Sequence, residues 1–436
     1  MPANGRMSDK PKLASSHEVV TVRSLGHRGD GIAQFNNQVL YVPFAVPGDS
    51  VLVSLSFDGT AKVEKHSQVS PLRVEPSCEY FSRCGGCSVQ QLQKDEYNQW
   101  KQNILLNALK RRDIEASIFE PMIEGGPRRR RRARFHFVNT KDGIVFGYRL
   151  PQSHRIIKIN RCPLIGTVLE NYIQPLRIAF SDLFEGKTAG EVTLTEANEG
   201  VDLLLIMEGQ PDLFMREKLA DLAHRLGLVR ISWKQKSRNG KSDPEIILTR
   251  KPATICLGDT RVNLPADGFI QPTAEGEMVL ISSVISVLRP GNLVLDLFAG
   301  SGTFSLAAAK AHAQVHAVEF DSIQLEALKN AAKLEDLSEL VTCEKRDLKR
   351  RPLFEPELRK FDVVVLDPPR AGAENQVRQL AKSNVPKIVY ISCNPVTFAR
   401  DAQTLVRAKY TLEKVQPIDQ FFWSPHLELV GVFKRN

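Results

Sequence analysis

Residues 293–306, LVLDLFAGSGTFSL, decide the fold. An apolar run of strand length carries Asp296 near its end, then Gly300 and Gly302 introduce a helix-forming stretch. That is the order strand, tight turn, helix. Outward from it the texture repeats. Buried-strand candidates follow at VHAVEF (315–320), LVTCEKRD (340–347), FDVVVLDPP (361–369) and KIVYISC (387–393), with amphipathic helices around 275–289, 303–311, 321–337, 375–383 and 394–408. Strands alternating with helices imply a parallel sheet with right-handed crossovers. Two last candidates, 411–421 and 427–433, are joined by a short turn and should pair antiparallel as a hairpin at one edge. Residues 266–436 therefore read as a doubly wound, Rossmann-like α/β domain.

Upstream the pattern differs. The first sixteen residues are a polar tail without an apolar core, so no secretory signal is visible and a cytoplasmic location is expected. Residues 17–72 alternate β-branched residues with Gly-Asp turns, the pattern of a small all-β barrel. Residues 73–265 read as a central α+β domain with a surface loop at 234–244. No run of about 18 apolar residues exists, which excludes a membrane-spanning helix. In a reducing compartment the seven cysteines are metal ligands, a nucleophile and core fillers rather than a disulfide framework. The net charge of +9 tolerates a polyanionic partner.

Ligands bind at the carboxyl ends of such strands. Gly300 and Gly302 allow a sharp turn and close approach, and Glu319, ending the second strand, can accept from both hydroxyls of a ribose. A dinucleotide fold would want a third glycine where Ser305 stands, and Asp296 would repel a pyrophosphate. A carboxylate there suits a cationic ligand without phosphate, so S-adenosylmethionine fits better than NAD. Asp347 and Asp367 close the third and fourth strands at matching positions. Cys393 lies at the end of the fifth strand and before a helix, where the dipole should favour a nucleophilic thiolate. Glu428 opens the last strand beside apolar neighbours, where burial would raise its pKa and suit it to proton abstraction. His426 orients its neighbours.

The motifs DLFAGSGTFSL, DPPRAG, ISCNP and PHLELV together resemble those of the RNA uracil-5-methyltransferases, in that family's order and spacing, across nearly the whole chain. The resemblance implies that Cys393 adds to carbon 6 of a uracil, that carbon 5 then takes the methyl group of S-adenosylmethionine, and that Glu428 removes the carbon 5 proton. It implies that Gln271, Phe298, Thr303, Glu319, Asp347 and Asp367 line the cofactor and base pocket. Thr303 and Thr273 stand where asparagine is common in the family.

Cys78, Cys84 and Cys87 read C-x5-C-G-G-C, and Cys162 is the best fourth ligand once the other cysteines are placed in apolar strands or at the reaction centre. Four thiolates suit a [4Fe–4S] cluster or structural zinc; the resemblance, to a ribosomal branch of the family, favours the [4Fe–4S] cluster. The barrel, with GHRGDG (26–31) and PFAVPGD (43–49), resembles a TRAM domain, an OB-like RNA-binding module. Arg128 to Arg132 form a run of five like charges, expected to be neutralised by RNA phosphates. A branch with both barrel and cluster methylates uridine 1939 of 23S rRNA, so a flipped uridine in a loop of that RNA is the expected partner, with the protein a monomer and no DNA or membrane partner. The competing readings are another RNA target for the same chemistry, including tRNA, a non-catalytic RNA-binding ribosome-assembly factor, and a nicotinamide oxidoreductase.

Overall fold

The computed structural model describes residues 17–55, 61–237 and 242–436. The polar segment 1–16 and the middle of the 234–244 loop lie outside the described residues. The chain divides into two compact units. One gathers the residues up to Ser82 with 87–100 and 423–425, and the other holds 83–86, 101–422 and 426–436.

The first unit is built on five antiparallel strands, β1 (His17–Leu25), β2 (Gly31–Phe35), β3 (Gln38–Val42), β4 (Ser50–Leu55) and β5 (Ala61–Gln68), in the order β3-β2-β1-β4-β5. Alternate residues point inward, so Val20, Val22, Ala33, Leu40, Val42, Val51 and Val53 share one core. Asp49 of the Pro-Gly-Asp turn is fully buried and accepts from Val46 N at 2.9 Å, Ser70 N at 3.0 Å and Arg73. Those donors outweigh the burial that would raise its pKa and hold it below the usual range.

Helix α1 (Lys94–Lys110) and the two-residue strand β6 (Ile118–Phe119) come next. A seven-stranded sheet follows, with β7 (Arg132–Thr140), β8 (Gly143–Arg149), β9 (Ile156–Lys158), helices α2 (Thr167–Glu170) and α3 (Ile173–Leu183), β10 (Ala189–Ala197), β11 (Gly200–Met207), α4 (Leu213–Arg225), β12 (Arg230–Gln235) and β13 (Glu245–Thr249). Its order is β13-β12-β11-β10-β7-β8-β9, with only β11 and β12 parallel. One face is apolar. Phe135, Phe137, Val192, Leu194, Leu203, Leu205 and Ile231 are buried on it, and Phe180 of α3 packs on Phe137 at 4.8 Å between ring centroids.

A hairpin, β14 (Thr254–Leu257) and β15 (Thr260–Asn263), leads into the α/β part. There stand α5 (Ala274–Ile285), β16 (Leu293–Leu297), α6 (Thr303–Lys310), β17 (Gln314–Glu319), α7 (Ser322–Leu334), β18 (Val341–Lys345), α8 (Glu355–Leu358), β19 (Val363–Leu366), α9 (Glu374–Lys382), β20 (Lys387–Ser392), α10 (Pro395–Arg407), β21 (Tyr410–Ile418) and β22 (Glu428–Arg435). The sheet order is β18-β17-β16-β19-β20-β22-β21-β6. The central strands β16, β19 and β20 are mostly apolar because helices cover both faces. Val294, Val315, Val363, Val389 and Ile391 pack against α5, α6 and α7. Leu295, Leu297, Val364, Leu366, Ile388 and Tyr390 pack against α9, α10 and the end of α1. β22 inserts antiparallel between β20 and β21. The expected edge hairpin is present, but β6 adds a short parallel strand outside β21, so the hairpin is not the rim.

Candidate active site

The loop after β16 is held in an uncommon backbone shape. Phe298 (φ 64°), Gly300 (φ 55°) and Gly302 (φ 100°) are all left-handed, and Gly302 is the N-cap of α6. A Cβ at Gly302 would lie 2.3 Å from Leu328, so only glycine fits. Phe298 has a Cβ and still adopts this conformation, a form of strain that collects at ligand sites. The loop wraps around Glu319, whose carboxylate accepts from Gly300 N at 3.0 Å, Phe320 N at 2.7 Å and Asp321 N at 2.8 Å. Thr303 is the first residue of α6. Asp347 accepts from Lys349 N and Arg350 N, which fixes the turn beyond β18.

Beneath the loop, Asp296 is fully buried. Ser305 Oγ donates to its Oδ2 at 2.5 Å, while its Oδ1 and the buried Ser301 Oγ have no hydrogen-bond partner among the described residues. Burial pushes the Asp296 carboxyl up to about 7; the Ser305 hydrogen bond opposes this and the Glu319 charge adds to it. Buried polar atoms are almost always paired, so two orphans beside a strained glycine loop mark a place for a polar ligand. An orphaned carboxylate oxygen fits a cationic group. The residues therefore suit an aminoacyl-nucleoside sulfonium.

The strand ends next to this loop carry a second cluster. Ser392 pairs with Leu429 across β20 and β22, so the next step of the register sets Cys393 opposite Glu428. Asn394 caps α10 by accepting from Val396 N, and Pro395 starts the helix, which fixes the thiol at the sheet's carboxyl edge. Gln271 Nε2 donates to Asp367 Oδ2 at 3.1 Å, and Gln271 Oε1 accepts from Gln420 Nε2 at 3.1 Å. Gln420 in turn hydrogen-bonds Glu428. Asp367, Gln271, Gln420 and Glu428 thus form one chain of hydrogen bonds beside Cys393.

Among the described residues, no cation is part of that chain of hydrogen bonds. Burial, then the Asp367 charge, raises Glu428 well above the ordinary carboxylate range. Burial and the Asp296 charge push Asp367 up to about 7. Cys393 departs from expectation. The helix dipole should favour its thiolate, yet burial, Glu428 and Asp367 push the thiol up to about 11, against a weaker opposing pull from Arg370. The resting sulfur carries its proton, beside the carboxyl groups of Glu428 and Asp367.

Sequence reasoning missed Lys101 and Gln420. Lys101 is fully buried in α1 and reaches Asp419 at 2.8 Å, Phe421 O at 3.2 Å and His426 O. It ties down both ends of the connection that bears Gln420 and leads into Glu428. The signal was a lysine on the same helical stripe as Leu105 and Leu109. Burial pushes the His426 imidazole down to about 4, with Arg370, Lys101 and Arg130 adding to it, so the ring is neutral.

The arginine run is not the free cationic patch expected of it. Arg128 meets Glu170 at 2.7 Å, Arg129 meets Glu275 at 3.7 Å, Arg131 pairs with the buried Glu277, and Arg132 meets Asp267 at 2.9 Å. Arg130 lies over the Phe421 ring at 5.9 Å. Close intramolecular carboxylates neutralise Arg128, Arg131 and Arg132. The run staples the start of β7 to the site, since Arg131 Nε donates to Gln271 O at 2.9 Å and Arg132 Nη1 to Gly268 O.

Among the described residues, no group of three or more His, Cys, Asp or Glu is gathered to hold a metal ion. Cys78 and Cys87 belong to the first unit, Cys84 and Cys162 to the second. Cys162 hydrogen-bonds Tyr148, whose hydroxyl is held well above its ordinary pKa by desolvation, Cys162 and Cys84. No described helix is long and apolar enough to cross a membrane.

Comparisons with known proteins give the family. Residues 255–436 match the family model described as tRNA (uracil-5-)-methyltransferase. An uncharacterized RNA methyltransferase of Brucella suis is 38% identical over 96% of this chain and 98% of its own. The 23S rRNA (uracil(1939)-C(5))-methyltransferase RlmD of Shewanella sediminis is 31% identical over 97% of each chain. The chain belongs to the RNA uracil-5-methyltransferase family. A solved family structure, the Pyrococcus abyssi tRNA (uracil-54, C5)-methyltransferase in complex with S-adenosyl-L-homocysteine, has the same fold. Its TM-score is 0.71 at 24% identity, covering 96% of this chain and all of that one.

Proposed function

We propose that this protein methylates carbon 5 of a uridine in 23S rRNA, at the position equivalent to 1939, with S-adenosylmethionine as donor. The observation that carries the reading is the thiol of Cys393 set across the strand register from Glu428, with Asp367 hydrogen-bonded into the same chain. Carbon 5 of a resting uracil is a poor nucleophile, and a covalent detour splits one hard step into two easier ones.

In that reaction Cys393 gives its proton to ionised Asp367, which returns it when the sulfur leaves, as the sulfur bonds to carbon 6 and the electron pair of the 5,6 double bond moves toward the carbon 4 oxygen. Glu428 stays free to accept the later proton. S-adenosylmethionine supplies an electrophilic methyl group on a sulfonium centre. Asp296, Glu319 and the Phe298–Gly302 loop would hold it beside the base, with Thr303 and Asp347 at the rim. After methylation Glu428 removes the proton from carbon 5, the double bond reforms, and the Cys393 sulfur leaves. Gln271 and Asp367 orient the base. A raised carboxylate pKa suits Glu428 to a proton-transfer role near neutral pH.

The barrel as a TRAM-type RNA module and residues 73–265 as a central domain complete this reading, as do a monomer acting in the cytoplasm and a [4Fe–4S] cluster on Cys78, Cys84, Cys87 and Cys162. The cysteine spacing supports the cluster, and no catalytic step is assigned to it. Iron and sulfide at about four atoms each per chain are expected; zinc in their place would remove it.

The test uses unmodified 23S rRNA transcript, unmodified tRNA and methyl-labelled donor. Label should enter the 23S transcript, map to one uridine, and vanish with Cys393→Ala. RNA bearing 5-fluorouridine should trap a covalent adduct that this variant cannot form. No transfer to either RNA, or an adduct that survives loss of Cys393, overturns the chemistry. Label in tRNA alone overturns only the target.

A further inference from the structure

The seven-stranded sheet is two-faced. Its apolar face lies under α3 and α4, whereas the rows on the other side are mostly polar, with Leu204 and Ile206 among them. Arg132 stands in register with Thr195, Asp202 and Arg230, Arg134 with Thr193, and His136 with Glu191, Ile206 and Lys234. The inner row is closed. Asp202 takes both forks of Arg230 at 2.8 and 2.9 Å, and Arg132 and Lys234 grip Asp267 at 2.9 and 2.8 Å.

The outer row is different. Arg134 and Arg149 stand 48% and 42% exposed, and their nearest carboxylate oxygens, on Glu191 and Asp267, are 3.6 to 3.9 Å away. Lys158 is in register with Gly147, and Gly147 with His136, so it lies on the same side. Lys236, exposed just past β12, is close enough for its charge to act on His136. Glu191 is the carboxylate central to this row.

We propose that this open sheet face is a docking platform for RNA phosphates, with Arg134, Arg149, Lys158 and Lys236 around His136 as its contacts. It rests on the RNA substrate of the proposed function and adds where the polyanion lies. Loosely paired arginines on a concentrated cationic surface match phosphate charge and geometry. Burial first, then Arg149, with Arg134 and Lys236, hold the His136 imidazole below its ordinary pKa, against the opposing charge of Glu191 3.8 Å away. The platform is continuous with the site. The first residues of β7 are tied to Gly268 and Gln271, so RNA lying across the face is led toward Cys393.

The experiment is filter binding of the full chain to in-vitro-transcribed 23S rRNA between about 50 and 200 mM salt. Each phosphate contact contributes about one to the slope of log affinity against log salt. The double variant Arg149→Gln, Lys236→Gln should lower the slope by about two and weaken low-salt binding about tenfold. Arg149→Lys should keep the slope. A charge-matched control on α4 over the opposite face, Lys218→Gln with Arg225→Gln, should leave it unchanged. A double variant that melts and binds like the parent overturns the platform, as does an equal loss in the control. A parent protein that binds with this slope and transfers no methyl group would overturn the proposed function and leave the platform standing.

Discussion

Two clusters of like charge lie in the same unit, and the protein treats them in opposite ways. The five arginines at 128–132 are crowded in sequence, and four of them find a carboxylate within 4 Å. Asp296, Asp367 and Glu428 are far apart in sequence and gather at the strand ends. There they are bound to hydroxyls and amides, and their pKa values rise. A cluster that only builds the fold is neutralised pair by pair. A cluster left in electrostatic tension is kept for a ligand or a reaction, because burying like charges without a partner costs stability.

Removing the sulfur should break the comparison most completely. Cys393→Ala should lower methyl transfer by about 10⁴-fold or more, as measured in single-turnover assays, because the two-step route is lost. Next comes Glu428→Gln, expected to slow turnover by about 10²- to 10⁴-fold and to accumulate protein–RNA adduct visible on a denaturing gel. The same change should not lower the melting temperature, since an amide relieves the repulsion from Asp367. The opposite holds in the arginine run. Arg131→Gln strands the buried Glu277 and should cost about 3 to 5 kcal/mol in denaturant melts.

The pH profile sharpens the contrast. Asp296 and Asp367 rise from 3.8 to about 7 on folding, so the folded state holds more protons than the unfolded one in between. Stability from these groups is full below about pH 4 and falls as pH rises to about 7. Asp367→Asn should flatten that slope, and a variant melting with the parent's full pH dependence would contradict the assignment. The smallest effect is expected at Thr273, which caps α5 by accepting from Gly276 N at 3.1 Å. Thr273→Ala should cost about 1 kcal/mol.

Much of this was legible in the chain. The strand–turn–helix rhythm after residue 290 placed β16 to β20, and the polar ends of those strands named Asp296, Asp367 and Cys393, because period and buried-strand composition are local properties. Glu428 was legible as the start of the last strand. Gln420 was not, since a glutamine between Asp419 and Phe421 carries no period, and its meaning comes from reaching Gln271 149 positions away. Lys101 sat on the apolar stripe of its helix, but its partners at Asp419, Phe421 and His426 lie more than 300 positions away. The arginine run misled because a charge run looks solvated until its partners, at Glu170, Asp267, Glu275 and Glu277, are brought to it.

The sequence by itself determined the parallel α/β sheet, its glycine loop and the inventory of reactive groups, since these follow from short-range patterning and residue chemistry. Only the tertiary structure decided their protonation: a thiol expected to ionise keeps its proton, and three carboxylates move toward neutrality. Desolvation and charge proximity depend on what long-range packing removes from water and sets side by side, which no local window of residues contains.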